Sequence, residues 1–332
     1  MTYVDHYEKY KDLEIDPDKY SYINYLRQQL TGWQFDTLMK IPDLNLEESG
    51  FDKIVNDFTN IEERVRREIR FLRENTNLRH DSNIMDVCLG SGATVIGLKQ
   101  LGLPNVAANE IDPKMKALAG KNLESYEITI EIESYDWRTI HGHYPYFYDK
   151  LSQINKCVQG LYFGTKENFR EVPHSASQKD IILCPGNSMT ELFIKEHRID
   201  SLRNFYNLLK LRGELVIDER NYPQIFADYF RGNFKNRGTG PYAGVDKVEA
   251  KPIYVSEGMI VMRYTHKISG VKAHLVLYPF KKGELESELR IAGFRNIRKF
   301  ADYKRIDEGI KGWIQENLLY RNAEFYTYVA EK

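Results

Sequence analysis

The chain of 332 residues carries 47 Lys and Arg against 48 Asp and Glu, a formal net charge of −1. With charges so evenly balanced and no basic arm to track a phosphate backbone, nucleic acid is excluded as the expected partner. The three cysteines, Cys88, Cys157 and Cys184, match neither a metal-ligand spacing nor a secreted disulfide framework, so no metal is expected and the setting reads as reducing and cytoplasmic.

The opening stretch MTYVDHYEKYKDLEI lacks a basic segment followed by an apolar one, and no later run is apolar and long enough to span a bilayer. A soluble protein with no membrane partner is expected. Residues 1–60 are polar, Tyr-rich and broken by Pro17 and Pro42, and read as a lid or cap; the 23 tyrosines suit a pocket lined with polar-tipped rings. Ile61, Val65, Ile69 and Leu72 then recur at helical spacing. NIMDVCLG is a short apolar run ending in a glycine turn, and ATVIGLKQLG continues as a helix that stops at Gly102. NVAANEID predicts a second strand, PKMKALAGKNLE a helix with proline in its first turn, and IEIESYDW a third strand.

The regularity fails over 141–179, read as an insertion with a small hairpin around GLYFGTKENF. DIILCPGNS resumes the core as a strand, a helix is predicted from Thr190 to Leu209, and GELVIDERN predicts the next strand. Residues 223–280 mix glycine turns with alternating segments such as YVSEGMIVMRYTHKI, which predict an antiparallel subdomain. The end supplies helix GELESELRIAG, strand RNIRKFADYK, a helical segment and strand AEFYTYVAEK. The expected fold class is α/β: a doubly wound, Rossmann-like seven-stranded sheet. Its core spans 61–222 with the 141–179 insertion, carries the 223–280 subdomain and is completed by 281–332.

The run Asp86-Val-Cys-Leu-Gly-Ser-Gly92 ends a strand in Gly-x-Gly at a helix start, where Gly90 and Gly92 let a ligand approach backbone closely. About twenty residues on, Glu110 stands where a carboxylate can accept from both hydroxyls of a ribose. A dinucleotide site would want a third glycine, but Ala93, Thr94 and Val95 follow Gly92, so a nucleoside without pyrophosphate fits better. Asp136 and Trp137, ending the third strand, offer an acceptor for an adenine amino group and an indole to cover the ring. Asp86 can also serve only to brace the turn.

With these motifs in this order, the chain resembles the glycine N-methyltransferase and glycine/sarcosine methyltransferase family over about residues 60–302. ILCPGNSMTEL is similar to that family's Cys-Leu-Gly-Asn-Ser segment, and LVIDERNYPQIF to its Ile-Asp-His-Arg-Asn-Tyr segment. The resemblance implies a class I methyltransferase with S-adenosylmethionine as cofactor, S-adenosylhomocysteine as product and a small amino acid or related amine as acceptor. It places Cys88 and Pro185 with the cofactor residues, assigns the substrate carboxylate to Arg220 and the amine to Gly186 and Asn187, and adds Ser188, Tyr222, Tyr242 and Tyr264 to the substrate pocket. Asn187, Arg220, Tyr242 and Tyr264 are the implied catalytic set. Pro185 stands where the family has leucine, Asp136 where it has asparagine, and Glu219 where it has histidine; Glu219 is read as a solvated side chain.

Methyl transfer from a sulfonium is an in-line displacement that needs positioning and a neutral amine, and no dedicated base is expected. The alternative keeps the cofactor but lets its own amino acid tail react, as in a cyclase, lyase or aminocarboxypropyl transferase releasing methylthioadenosine. A binding module and a dehydrogenase are the remaining alternatives, and a homo-oligomer is compatible with the sequence.

Overall fold

The computed structural model describes residues 20–140, 178–235, 238, 242–319 and 321–332. The expected 141–179 insertion and its hairpin fall outside these residues up to 177, and Lys179 already belongs to the following strand.

Two short helices, α1 (Tyr22–Gln29) and α2 (Gly32–Leu38), precede a 3-10 turn at Phe51–Lys53 and helix α3 (Val55–Thr59). The lead-in, expected as a lid or cap, is thus partly helical. Tyr22, Leu26, Leu30, Leu38 and Leu46 bury against Met259, Val261 and Val276, so tertiary packing stabilises helices too short to stand alone. Helix α4 (Ile61–Asn75) follows, its first turn acidic at Glu62 and Glu63 and its end basic at Arg73, as the helix dipole favours.

The core alternates β1 (Ile84–Asp86), α5 (Ala93–Gln100), β2 (Val106–Asn109), α6 (Pro113–Ser125), β3 (Ile132–Glu133), β4 (Lys179–Cys184), α7 (Lys195–Leu208) and β5 (Leu209–Arg220). Helix α8 (Tyr222–Phe230) leads to a separate antiparallel sheet of β6 (Val248–Ser256), β7 (Met259–His266) and β8 (Lys272–Leu277). The chain ends with α9 (Glu284–Ala292), β9 (Arg295–Ala301), β10 (Lys304–Ile306), α10 (Gly309–Ile314), a π turn over Gln315–Leu319 and β11 (Phe325–Glu331). The large sheet has the order β10-β9-β11-β5-β4-β1-β2-β3. Pairings from β3 through β5 are parallel, whereas β11 runs antiparallel to both β5 and β9. The expected doubly wound sheet is present, with β10 as a short eighth strand at its edge.

Strand periodicity divides the core into two layers. Ile181 and Leu183 face Ile69, Leu72, Val95 and Leu123 of α4, α5 and α6, while Ile182 and Cys184 face Leu202, Phe205, Leu285 and Leu289 of α7 and α9. The second layer continues into the small sheet through Ala250, Met262, Tyr264 and Ala273. Among the described residues no helix is long and apolar enough to cross a membrane.

Four local expectations need correction. The strand expected over IEIESYDW shrinks to β3, because beyond it the Asn109 side chain replaces the ladder: Oδ1 accepts from Tyr135 N at 2.7 Å and Nδ2 donates to Tyr135 O at 3.0 Å. The helix expected from Thr190 begins only at Lys195. Before it lies a 3-10 turn, Ser188–Glu191, launched by Asn187 in the left-handed region (φ 65°), and the Thr190 carbonyl accepts sideways from Tyr278 N at 2.7 Å. Helix α8 occupies a stretch expected to be turns and strands. Its start was written in Asn221, whose side chain caps Gln224 N, and in Pro223 of the first turn. Finally, Asp302 and Tyr303, both at positive φ, fold RNIRKFADYK into the β9–β10 hairpin.

Candidate active site

The loops that follow β1, β2, β3, β4 and β5 gather at one edge of the sheet, where ligands bind in doubly wound folds. They wall a cavity of about 1240 Å³, counting its open mouth, whose roof comes from the start of α1, the Ser49–Val55 stretch and β7 and β8 of the small sheet.

On the β1–β2 side, Gly90 (φ 57°) and Gly92 (φ 82°) hold a turn that side chains with a Cβ rarely adopt. Gly90 lines the cavity, whereas Gly92 faces Ala119 and Leu123 and lets α5 pack close to α6. The Glu110 carboxylate accepts from Gly90 N at 2.9 Å and from Asp112 N at 3.1 Å, and burial lifts its carboxyl to about 7. Each oxygen keeps a lone pair for another donor. Asp86 is fully buried behind the turn, with Oδ1 accepting from Cys88 N at 3.0 Å, and burial lifts it to about 7. It braces the turn and does not line the cavity. The Cys88 thiol donates to Pro185 O at 3.1 Å, which ties the β1 and β4 loops together.

At the β3 end, Trp137 donates from Nε1 to Val87 O at 2.7 Å and meets Phe205 edge-on, so its ring is fixed beside the cavity. Asp136 lies against Arg138 in a buried pair, with Nη2 to Oδ2 at 2.6 Å and Nε reaching both carboxylate oxygens at 3.0 and 3.1 Å. Most of its acceptor capacity is therefore spent within the protein.

The loops after β4 and β5 form a second wall. Asp218 accepts from Asn187 N at 2.5 Å and Gly186 N at 3.1 Å, and burial lifts it to about 6. Those bonds hold Gly186 (φ 81°) and Asn187 in the left-handed region. The Asn187 amide is engaged inside the protein: Nδ2 donates to Thr190 Oγ1 at 3.0 Å and Tyr222 Oη at 2.8 Å, and Oδ1 accepts from Arg220 N at 2.9 Å. Tyr222 is fully buried behind Asn187 and does not line the cavity. Ser188 lines it while donating to Pro185 O at 3.0 Å. Tyr242 donates to Gly186 O at 2.8 Å and stacks on Phe58 with centroids 4.5 Å apart, and Tyr264 packs against Phe51 and Phe58 at 5.1 Å.

Arg220 is the unusual member of this wall. It is 3% exposed, its guanidinium lies 5.3 Å from the Tyr242 ring centroid and 5.1 Å from that of Phe325, and Nε and Nη2 are buried with no hydrogen-bond partner among the described residues. A buried guanidinium left this way is costly unless an anion from outside completes it.

Glu219, expected to be solvated, is 4% exposed and accepts from Tyr328 Oη at 2.6 Å. Alternation along β5 turns it away from the Arg220 side, and burial lifts its carboxyl to about 8.

The sequence reading missed Arg64, Glu191, Asp218 and, as individuals, Tyr20, Tyr22 and Tyr25. Arg64 lines the cavity while donating from Nε to Glu68 at 2.7 Å and from Nη2 to Thr94 at 3.4 Å. Nothing in its spacing sets it apart from the other arginines of α4. The three tyrosines cluster in YSYINY, and that density was the available signal.

The open glycine turn and the acceptor oxygens of Glu110 suit a nucleoside, and the fold is the one that class I S-adenosylmethionine-dependent methyltransferases share. The fold is shared with a S-adenosylmethionine-dependent methyltransferase from Clostridium acetobutylicum, at a TM-score of 0.53 and 15% identity over 85% of this chain and 95% of that one. Curated relatives carry the particular resemblance. The chain is 29% identical over 251 residues to the glycine/sarcosine N-methyltransferase of Parasynechococcus marenigrum, covering 75% of this chain and 71% of that protein. It is 27% identical over 283 residues to the protein of the same name from Aphanothece halophytica, covering 85% and 88%. No protein-family model matches the chain. The alternative chemistry on the cofactor's own tail finds no support among these relatives.

Proposed function

We propose that this protein transfers a methyl group from S-adenosylmethionine to the nitrogen of a small amino acid or closely related amine. The observation that carries the reading is the buried Arg220 guanidinium with two unpartnered nitrogens in the wall of the cofactor cavity. A planar fork of this kind meets a carboxylate bidentately and fixes its orientation. The names of the curated relatives, glycine/sarcosine N-methyltransferases, support the same acceptor class.

In this reading Glu110 receives the ribose hydroxyls, and Trp137 with the Asp136–Arg138 pair forms the adenine end. Gly90, Cys88 and Pro185 give the cofactor a close backbone seat, while Asp86 and Gly92 shape that seat from behind. Arg64 supplies a cation on the cofactor side. The bound cofactor brings an activated methyl group with its own leaving group, so the protein's task is orientation. Arg220 holds the acceptor carboxylate between Tyr242 and Phe325. The Gly186 carbonyl, already accepting from Tyr242, keeps a lone pair for the amine. Asn187 acts through position: its engaged amide locks the Gly186 carbonyl and the Arg220 backbone in register. Tyr222 anchors Asn187, Ser188 closes the turn, and Tyr264 borders the acceptor from the small sheet. Residues of α1, the Ser49–Val55 stretch and the small sheet together form a cap that excludes water.

The test is mass spectrometry of the purified protein incubated with S-adenosylmethionine, alone and with a panel of amino acids and the same amines lacking the carboxylate. S-adenosylhomocysteine formed only with carboxylate-bearing amines supports the proposal. Equal turnover of amines without a carboxylate removes the role given to Arg220.

A further inference from the structure

Glu191 ends the 3-10 turn that begins at Ser188 and lines the same cavity as Arg220. Its backbone is pinned from two sides: Tyr25 Oη donates to Glu191 O at 3.1 Å, and Tyr278 N donates to Thr190 O at 2.7 Å. The side chain, by contrast, makes no hydrogen bond or ion pair to any described residue, although every other carboxylate at this end of the cavity is engaged. Glu110 accepts from two backbone N–H groups, and Asp112 caps α6 by accepting from Lys114 N at 2.8 Å and Met115 N at 3.3 Å.

The groups that line the cavity or act electrostatically with Glu191 are mostly neutral or acidic, with Arg64 and Arg220 the cations of the lining. Glu110 and Asp112 come from the β2–α6 loop, Tyr20, Tyr22 and Tyr25 from the start of α1, Tyr264 from β7 and Cys184 from β4. Burial, then the Glu110 and Asp112 charges, lift its carboxyl to about 8. An arriving cation reverses that push and favours the carboxylate. Tyr264 lines the cavity together with Arg220 and Glu191 and is acted on by the charges of both.

Building on the amine-methylation reading above, we infer that Glu191 is the proton acceptor that converts the substrate's ammonium to the nucleophilic amine. An N–H bond of the ammonium breaks, its electron pair stays on nitrogen, and the proton goes to a Glu191 Oε. The nitrogen lone pair then forms the N–C bond as the carbon–sulfur bond breaks and its pair remains on sulfur. The products are an N-methylammonium, the uncharged thioether and a neutral Glu191, which returns its proton to solvent when the cavity opens. A zwitterionic acceptor is thereby met at both ends, by Arg220 and by Glu191, and can bind in its abundant charged form.

The experiment compares wild type with Glu191→Gln and Glu191→Asp, reading kcat/KM for the acceptor from pH 6.5 to 10 and S-adenosylmethionine affinity by calorimetry. Glu191→Gln keeps the cofactor affinity within about twofold and loses roughly tenfold or more in kcat/KM near pH 7, a deficit in the range of general acid–base catalysis. That deficit closes as pH approaches the acceptor's own ammonium pKa, where free amine no longer needs a protein base. Glu191→Asp retains the wild-type profile shape at reduced rate. A Glu191→Gln deficit that is constant with pH, or one confined to cofactor affinity, overturns the inference. A wild type that turns over no amine at all fails the underlying amine reading instead, and the two failures are thus distinguishable.

Discussion

Arg220 and Asn187 sit 2.9 Å apart through backbone and side chain, yet the structure separates their roles. Arg220 has nitrogens to give, and Asn187 has spent its amide on Thr190, Tyr222 and the Arg220 backbone. Arg220→Lys keeps the charge but loses the fork, so the acceptor KM should rise roughly 10- to 100-fold, the scale of losing a hydrogen bond to a charged group. Steady-state kinetics with S-adenosylmethionine affinity as the control checks this, and a cofactor affinity that moves with the KM would contradict it. Both residues were singled out in the sequence because they lie in two short strand-end segments that resemble the methyltransferase family's. Their division of labour was not, since it depends on Tyr222 and Thr190 reaching across the turn. Glu191 was invisible for the opposite reason: one acid after a turn looks solvated until Tyr25 and Tyr278 are seen to fix it beneath the cap.

At the scale of elements, Tyr242 depends on a contact between distant parts of the chain. Gly244 N donates to Phe58 O at 2.8 Å, and a Cβ at Gly244 would stand 1.7 Å from Asp57 O in α3. Gly244→Ala should therefore cost about 1–3 kcal/mol, the usual range for overpacking, and should lower kcat/KM by shifting Tyr242 off the Gly186 carbonyl. Gly120→Ala is the opposite case. A Cβ at this position in α6 meets nothing within 4 Å, and stability should rise by up to about 1 kcal/mol with activity unchanged. Thermal denaturation of both variants checks the pair. The parallel strands and helices were legible because their apolar periods are long and glycine or proline punctuates them. Two of the elements that escaped, the 3-10 turn at Ser188 and the truncated β3, have backbone bonds that go to a side chain or to the segment just past the small sheet instead of to their own ladder.

For the molecule as a whole, buried carboxyls set the response to pH. Asp218 is lifted to about 6, Asp86 and Glu110 to about 7, and Glu191 and Glu219 to about 8, each chiefly by burial. A carboxyl raised above its unfolded value binds a proton more tightly when folded, so the fold loses stability as pH climbs from the ordinary carboxyl range through these values. The free protein should melt at a higher temperature at pH 6 than at pH 8.5, by scanning calorimetry, and replacing Glu219 with Gln should flatten the difference. The unpartnered Arg220 has a further consequence, for engineering. On the proposed reading, a desolvated cation kept beside two aromatic rings for an acceptor carboxylate to neutralise trades robustness for recognition. Selection for heat resistance alone would discard that cation: Arg220→Met should give a hardier protein when empty and one whose melting point no longer responds to an added amino acid, so a screen for thermostability would enrich inactive variants first.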